Sequence, residues 1–138
     1  MTEECPFCAI AAGSDDDAHV VHRSSNSVAF LDRNPAATGH TLVVPRQHVT
    51  GIEDLDPTTH RDLFRTVHRL SNALDSAFGA DGLSMFYTTG PVVGTVDHAH
   101  VHLIPRVEDD PISVTLTRSP LSSEAGYHQV ERIQEALP

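Results

Sequence analysis

Lysine and tryptophan are both absent from this 138-residue chain, and all nine basic residues are arginine. A lysine nucleophile, a lysine Schiff base and a P-loop lysine are therefore excluded. Cysteine is limited to Cys5 and Cys8, too few for a disulfide framework. No apolar run approaches the ~18 residues of a membrane span. The opening residues, Met1-Thr2-Glu3-Glu4-Cys5, carry neither the basic nor the apolar region of a signal peptide, which predicts a cytoplasmic protein. Positive charge is scarce as well. Nine basic against nineteen acidic residues gives a net charge of −10. That balance argues against nucleic acid or an anionic membrane as partner. An anionic substrate would have to be held by local donors.

What the chain does have is histidine, ten in all. At roughly 100–200 residues per domain, the length predicts one domain over 1–138. A chain this long can bury a core without disulfides. Phe7–Ala12 reads as a short helix stopped by Gly13. Val20–Val21 and Ser27–Leu31 read as strands around the turn Arg23–Asn26, and His40–Pro45 as a β-branched strand. A long helix is predicted over Pro57–Phe78, with Asp56 as N-cap, Pro57 at the first helical position and Gly79 as the stop. Leu63, Phe64, Val67, Leu70, Leu74 and Phe78 keep helical spacing on one face. Leu83–Thr88 and Thr95–Pro105 read as strands on either side of a Gly/Pro/Val loop, and Glu124–Leu137 as a final helix. Strands with one long helix among them favour an α+β fold with an antiparallel sheet of about five strands.

The chemistry centres on His98-Ala99-His100-Val101-His102-Leu103-Ile104-Pro105. Alternation on a strand would put three imidazoles on one face and Ala99, Val101 and Leu103 on the other, which must be the core side. Two readings compete. A three-histidine metal site could activate water. Alternatively one histidine serves a structural metal and the others do covalent chemistry. Cys5-Pro6-Phe7-Cys8 offers two thiolates and needs two more ligands, for which His48 and His98 are available. A closed Cys2His2 site would leave His100 and His102 free. His19, His22, His60, His68 and His128 read as surface residues, and Arg61, Arg65 and Arg69 as an exposed helix face.

The block from His98 to Pro105 resembles the signature of the histidine triad (HIT) family. Cys5-Pro6-Phe7-Cys8-Ala9-Ile10 resembles its N-terminal Cys-x-Phe-Cys-x-Ile motif. Ala29-Phe30-Leu31-Asp32, Pro35 and Gly39-His40-Thr41-Leu42-Val43-Val44-Pro45-Arg46-Gln47-His48 resemble its nucleotide-framing strands. The likeness covers about 4–106 and leaves 107–138 as an extension. It points to the zinc-bearing branch that hydrolyses nucleoside phosphoramidates or dinucleoside polyphosphates.

The resemblance implies a nucleotide hydrolase or transferase acting at an α-phosphate through a nucleotidyl-histidine intermediate. His100 would be the nucleophile, its tautomer fixed by a backbone carbonyl. His102 would bind phosphate and assist the leaving group, and His40 would support the site from the next strand. Asp32 would accept the ribose hydroxyls. Phe7, Ile10 and Phe30 would form the slot for a purine base. Thr95, the amides of Gly94–Val96 and Thr88 would hold phosphate. Structural zinc would sit on Cys5, Cys8, His48 and His98. The family also implies a homodimer, paired through the long helix and a central strand. The chain departs from the family pattern at Thr88-Thr89-Gly90, where Asn-x-Gly is usual, at Gly94, where Gln is usual, and at Arg33 and Asp97. These departures motivate the alternative of a zinc-stabilised nucleotide-binding or interaction protein with little catalysis.

Overall fold

Apolar residues on both faces of two adjacent strands determine how this chain is layered. The computed structural model describes residues 5–90 and 96–138. A short helix, α1 (Pro6–Ala12), precedes strands β1 (Val20–Arg23), β2 (Ser27–Leu31) and β3 (Thr41–Pro45). Helix α2 (Pro57–Phe78), strands β4 (Gly82–Phe86) and β5 (Val101–Arg106), and helix α3 (Ser123–Ala136) follow. The five strands form one antiparallel sheet in the order β1-β2-β3-β5-β4.

Side chains alternate across β2 and β3, and both faces are covered. Ala29 and Val43, with Val101 and Leu103 of β5, pack on Leu63, Val67, Leu70 and Leu74 of α2. Val28, Phe30, Leu42 and Val44 point the other way, onto Phe7, Ile10 and Ala11 of α1. The helices end where the sequence says they should. Asp56 caps α2 by accepting the Thr59 N–H at 2.8 Å, and Gly13 and Gly79 close α1 and α2 in the left-handed conformation. The last carbonyls of α1 are bonded by Arg23 and Arg46, which lie on the sheet side. Leu63 is 1% exposed at the centre of the α2 face. Leu63→Ala should cost about 2–5 kcal/mol, read as a lower urea midpoint with unchanged slope.

Several details differ from the sequence reading, among them β4, which ends at Phe86 rather than Thr88. Phe64 and Phe78 lie on the flank of the α2 stripe and are exposed, while Thr59 and Thr66 are buried in the core-facing stripe. The Phe78 ring instead lies against Gly39, whose φ of +85° and 2.6 Å clearance for a Cβ both require glycine. His22 is half-buried rather than on the surface. The last strand begins at Val101, so His98 and His100 precede the ladder. The cause is Pro45. The β3–β5 register, Val43 opposite Val101, brings Pro45 opposite Ala99, and proline has no N–H to give. The Ala99 N–H bonds the Val49 carbonyl at 2.8 Å instead. His98 and His100 are buried as well as their apolar neighbours. Ala99, Val101 and Leu103 are buried on the core side.

Candidate active site and metal centre

Four sulfur- and nitrogen-bearing side chains meet at the start of α1. Cys5 is the N-cap of α1, and its Sγ accepts the Cys8 N–H. Cys8 lies one turn on. His48 follows the end of β3, and His98 is fully buried ahead of β5. Cys5 Sγ is 3.4 Å from His98 Nδ1, and Cys8 Sγ is 3.1 Å from His48 Nδ1 and 3.5 Å from His98 Nδ1. The two Nδ1 atoms are 3.2 Å apart. Two thiols and two imidazole nitrogens at these separations suit a small tetrahedral cation. The second ring nitrogen supports that fit. His98 Nε2–H donates to the Pro45 carbonyl at 2.8 Å, which leaves the Nδ1 lone pair facing the sulfurs. Burial lowers the pKa of His98, so its neutral form is favoured. Burial and then the neighbouring Cys5 push the Cys8 thiol up to about 11, so a thiolate there calls for a cation.

The same peptide that carries His98 orients His100. His100 Nδ1–H donates to the His98 carbonyl at 2.8 Å. Its other nitrogen, Nε2, therefore keeps its lone pair. The ring is buried, edge-on to Phe7 at 5.1 Å and to His102 at 5.0 Å. The backbone carbonyl expected to fix this tautomer is in place.

His102 is oriented by a second chain of hydrogen bonds. It lies opposite Leu42 in the β3–β5 register, which brings His40 alongside it on the same face. The Ala36 N–H donates to His40 Nδ1 at 3.0 Å, so the neutral ring carries its proton on Nε2. His40 Nε2–H then donates to His102 Nδ1 at 2.9 Å. His102 is left with a proton on Nε2. Asp32 sits behind this pair, its Oδ2 3.5 Å from His40 Nε2 and 4.0 Å from His102 Nδ1. Burial, and then His100 and His40, lower His102 from 6.5 to about 4, against the opposing pull of Asp32. Burial also lowers His40.

A His102 pKa below its unfolded value makes a contribution to stability that is present above pH 6.5 and lost as pH falls toward 4. The His102 ring resonances should hold still through pH 6.5 and move near pH 4 in an NMR titration. His102→Gln should make acid unfolding less steep over that window. A midpoint at the ordinary histidine value would refute the buried, neutral assignment.

His100, His102 and Asp32 open onto a cavity of about 340 Å³. Phe7, Ile10, Phe30 and Leu42 line its apolar part, and Asp32, His100 and His102 its polar side. The volume and the mixture suit a small ligand with an apolar ring and a polar tail. Of the residues expected to bind substrate, Thr88 is exposed beyond β4 and does not line this cavity. Thr95 and Gly94 lie outside the described residues. Other contributors are harder to read from sequence. The Ala36 amide and the Pro45 carbonyl act through backbone atoms, which no motif reports. Arg33 lines the cavity and forms an ion pair with Asp15, a residue that reads in sequence only as part of a solvated acidic loop.

The HIT domain profile matches residues 14–109. The asymmetrical bis(5'-nucleosyl)-tetraphosphatase of Schizosaccharomyces pombe is 32% identical over 91% of this chain and 68% of its own. A HIT family protein of Bacillus anthracis has a solved structure that superposes at a TM-score of 0.90, at 28% identity, over 100% of both chains. A zinc-bound histidine triad family protein of Mycobacterium smegmatis superposes at 0.74, at 29% identity, over 99% of this chain and 100% of that one. With that profile spanning most of its length, this chain belongs to the HIT family.

Proposed function

We propose that this chain is a nucleotide hydrolase or transferase that works at an α-phosphate through a nucleotidyl-histidine intermediate. The observation that carries the reading is the tautomer of His100. Its Nδ1 is committed to the His98 carbonyl, and the ring borders a cavity shared with His102 and Asp32. A neutral imidazole with one nitrogen oriented and the other free is a nucleophile near neutral pH. The Nε2 lone pair of His100 attacks phosphorus, and the bond to the leaving group breaks. His102, with its proton on Nε2, donates to the phosphate oxygen or to the departing group. Water then cleaves the phosphorus–nitrogen bond and restores His100. His40 holds the His102 tautomer. Asp32 accepts from the ribose hydroxyls, and Phe7, Ile10 and Phe30 take the purine. Thr95 would add a phosphate donor.

Zinc is proposed on Cys5, Cys8, His48 and His98, with the convergence of their donor atoms and the zinc-bound relative as support. When bound, it supplies a structural cross-link between α1 and the strand segments. The chain is proposed as one cytoplasmic domain and a homodimer paired through α2 and, in place of the central strand expected, whose two sides are both taken within this sheet, the edge strand β4. Exposed Leu83 and Met85 on β4 support the pairing, since an uncovered apolar edge invites a partner strand. Among the described residues no helix is long and apolar enough to cross a membrane.

The test is a panel of adenosine and guanosine phosphoramidates and dinucleoside polyphosphates, quenched during turnover and analysed by mass spectrometry. A nucleoside monophosphate adduct on the peptide carrying His100 is expected. Turnover without an adduct would sink the covalent route. No turnover on any member, with nucleotide still bound, would favour the binding protein over the enzyme.

A further inference from the structure

Arg33 carries the only permanent positive charge among the described residues that line the cavity, in a chain of net charge −10. Its surroundings fix where that side chain ends. Arg33 follows Asp32 on the β2–β3 loop, and the Asp32 carboxylate accepts the Asn34 N–H at 2.8 Å, which pins the turn around it. The guanidinium leaves this loop and pairs through Nη2 with Asp15 Oδ2 on the α1–β1 loop. Asp15 is itself held, because its Oδ1 accepts the Asp17 N–H at 3.0 Å. The Asp15 carbonyl accepts the Ala18 N–H at 3.4 Å. Ala18 lines the cavity and packs against the cluster that contains Phe7, Ile10 and Phe30. The ion pair therefore carries the guanidinium from the Asp32 end of the cavity to the rim of its apolar slot.

Stability does not explain this pair. The Arg33 side chain is 57% exposed, and an ion pair so open to water adds little. Its effect is to orient the arginine and to cancel its charge, so the rim does not attract a further phosphate. What remains is a planar fork of N–H donors, which have no partner besides Asp15 among the described residues. Pro6, Phe7, Ile10, Ala18 and Phe30 line the slot and offer no side-chain hydrogen bond. Arg33 is then the group that can read the edge of a ring seated there. A fork that only donates pairs with two adjacent acceptors. Guanine presents O6 and N7 on one edge, whereas adenine presents N7 beside an N6 amino group that is itself a donor.

We propose that Arg33, positioned by Asp15, selects guanine over adenine by donating to O6 and N7 of the base. The inference rests on the nucleotide reading above and adds the identity of the base to it.

The test is calorimetry of the full chain with guanosine, inosine and adenosine monophosphates. Inosine keeps O6 and N7 but lacks the 2-amino group of guanine. Guanosine and inosine monophosphates should both bind at least about tenfold more tightly than adenosine monophosphate. Arg33→Met changes an exposed side chain and should fold, checked by its urea midpoint. Its ratio of guanosine to adenosine monophosphate affinity should fall to about one. Asp15→Asn should give a ratio between those of wild type and Arg33→Met, because the arginine remains but is less firmly held. Equal affinity of the wild type for the guanosine and adenosine ligands would overturn the selection and leave the nucleotide reading standing. Inosine monophosphate binding as weakly as adenosine monophosphate, or a preference that survives Arg33→Met, would overturn the role of Arg33. Failure of all three ligands to bind would overturn the nucleotide reading, and this inference with it.

Discussion

Replacing His100 with alanine is expected to lower turnover by about a thousandfold or more while nucleoside monophosphate still binds. The split follows from where the groups stand. Asp32 and the slot of Phe7, Ile10 and Phe30 line the same cavity, so the ribose and base contacts proposed for them should survive removal of the His100 ring. What disappears is the imidazole whose Nδ1 is bonded to a backbone carbonyl beside the cavity. The ring is buried against Phe7, so alanine also leaves a void. His100→Asn fills more of that space and should lose turnover equally, which separates chemistry from packing. His102→Ala should be milder, because the role proposed for His102 is to assist departure without a bond to phosphorus. The ordering of the three variants, measured as kcat with binding followed by calorimetry, is the check. Substantial activity in His100→Ala would remove the nucleophile from the mechanism.

The rate of the wild-type protein bears on the departures in its sequence. Thr88 is exposed and away from the cavity, so its hydroxyl does not stand in for the amide usual in the family. Loss of hydrogen bonds to a developing charge costs about 1–3 kcal/mol, or roughly one to two orders of magnitude in rate.

The site is legible where its chemistry follows side-chain type and spacing. Cys5 and Cys8 fall one helical turn apart, and the three histidines divide between the two centres, His98 with the cysteines and His100 and His102 at the cavity. Element boundaries are less legible. Strand Val101–Arg106 starts late because Pro45 sits on the neighbouring strand, a partner that local pattern does not identify. Backbone groups escape for a related reason. The carbonyls of His98 and Pro45 and the amide of Ala36 set three ring tautomers, yet every residue has such groups and only the fold selects these. The α2 stripe shows a further limit. Period alone places Phe64 and Phe78 with the core, whereas the sheet buries Thr59, Leu63, Thr66, Val67, Leu70 and Leu74 and leaves those two rings exposed.

Chelation is expected to unfold this protein at a temperature of the order of ten degrees lower, with one zinc released per chain. The argument rests on how little else ties the N-terminal segment down. Helix α1 is seven residues long and packs on the sheet through Phe7, Ile10 and Ala11. A cation shared by Cys5, Cys8, His48 and His98 would tie that helix to two segments 40 and 90 residues from Cys8 in sequence, lowering the entropy gained on unfolding. Cys8→Ser is the cleaner variant, because Cys8 is half-buried whereas Cys5 is buried and caps the helix. It should lower both zinc content and Tm, and added zinc should restore neither fully. The chemical step should respond later than stability does. The His98 peptide that orients His100 is also held by the Ala99–Val49 hydrogen bond and the His98–Pro45 contact, which persist until the segment opens. Initial rates measured well below the lowered Tm should therefore fall less than the shift in Tm suggests. Metal analysis that finds no zinc, or a Cys8→Ser protein that binds it as tightly as wild type, would remove the metal from this site.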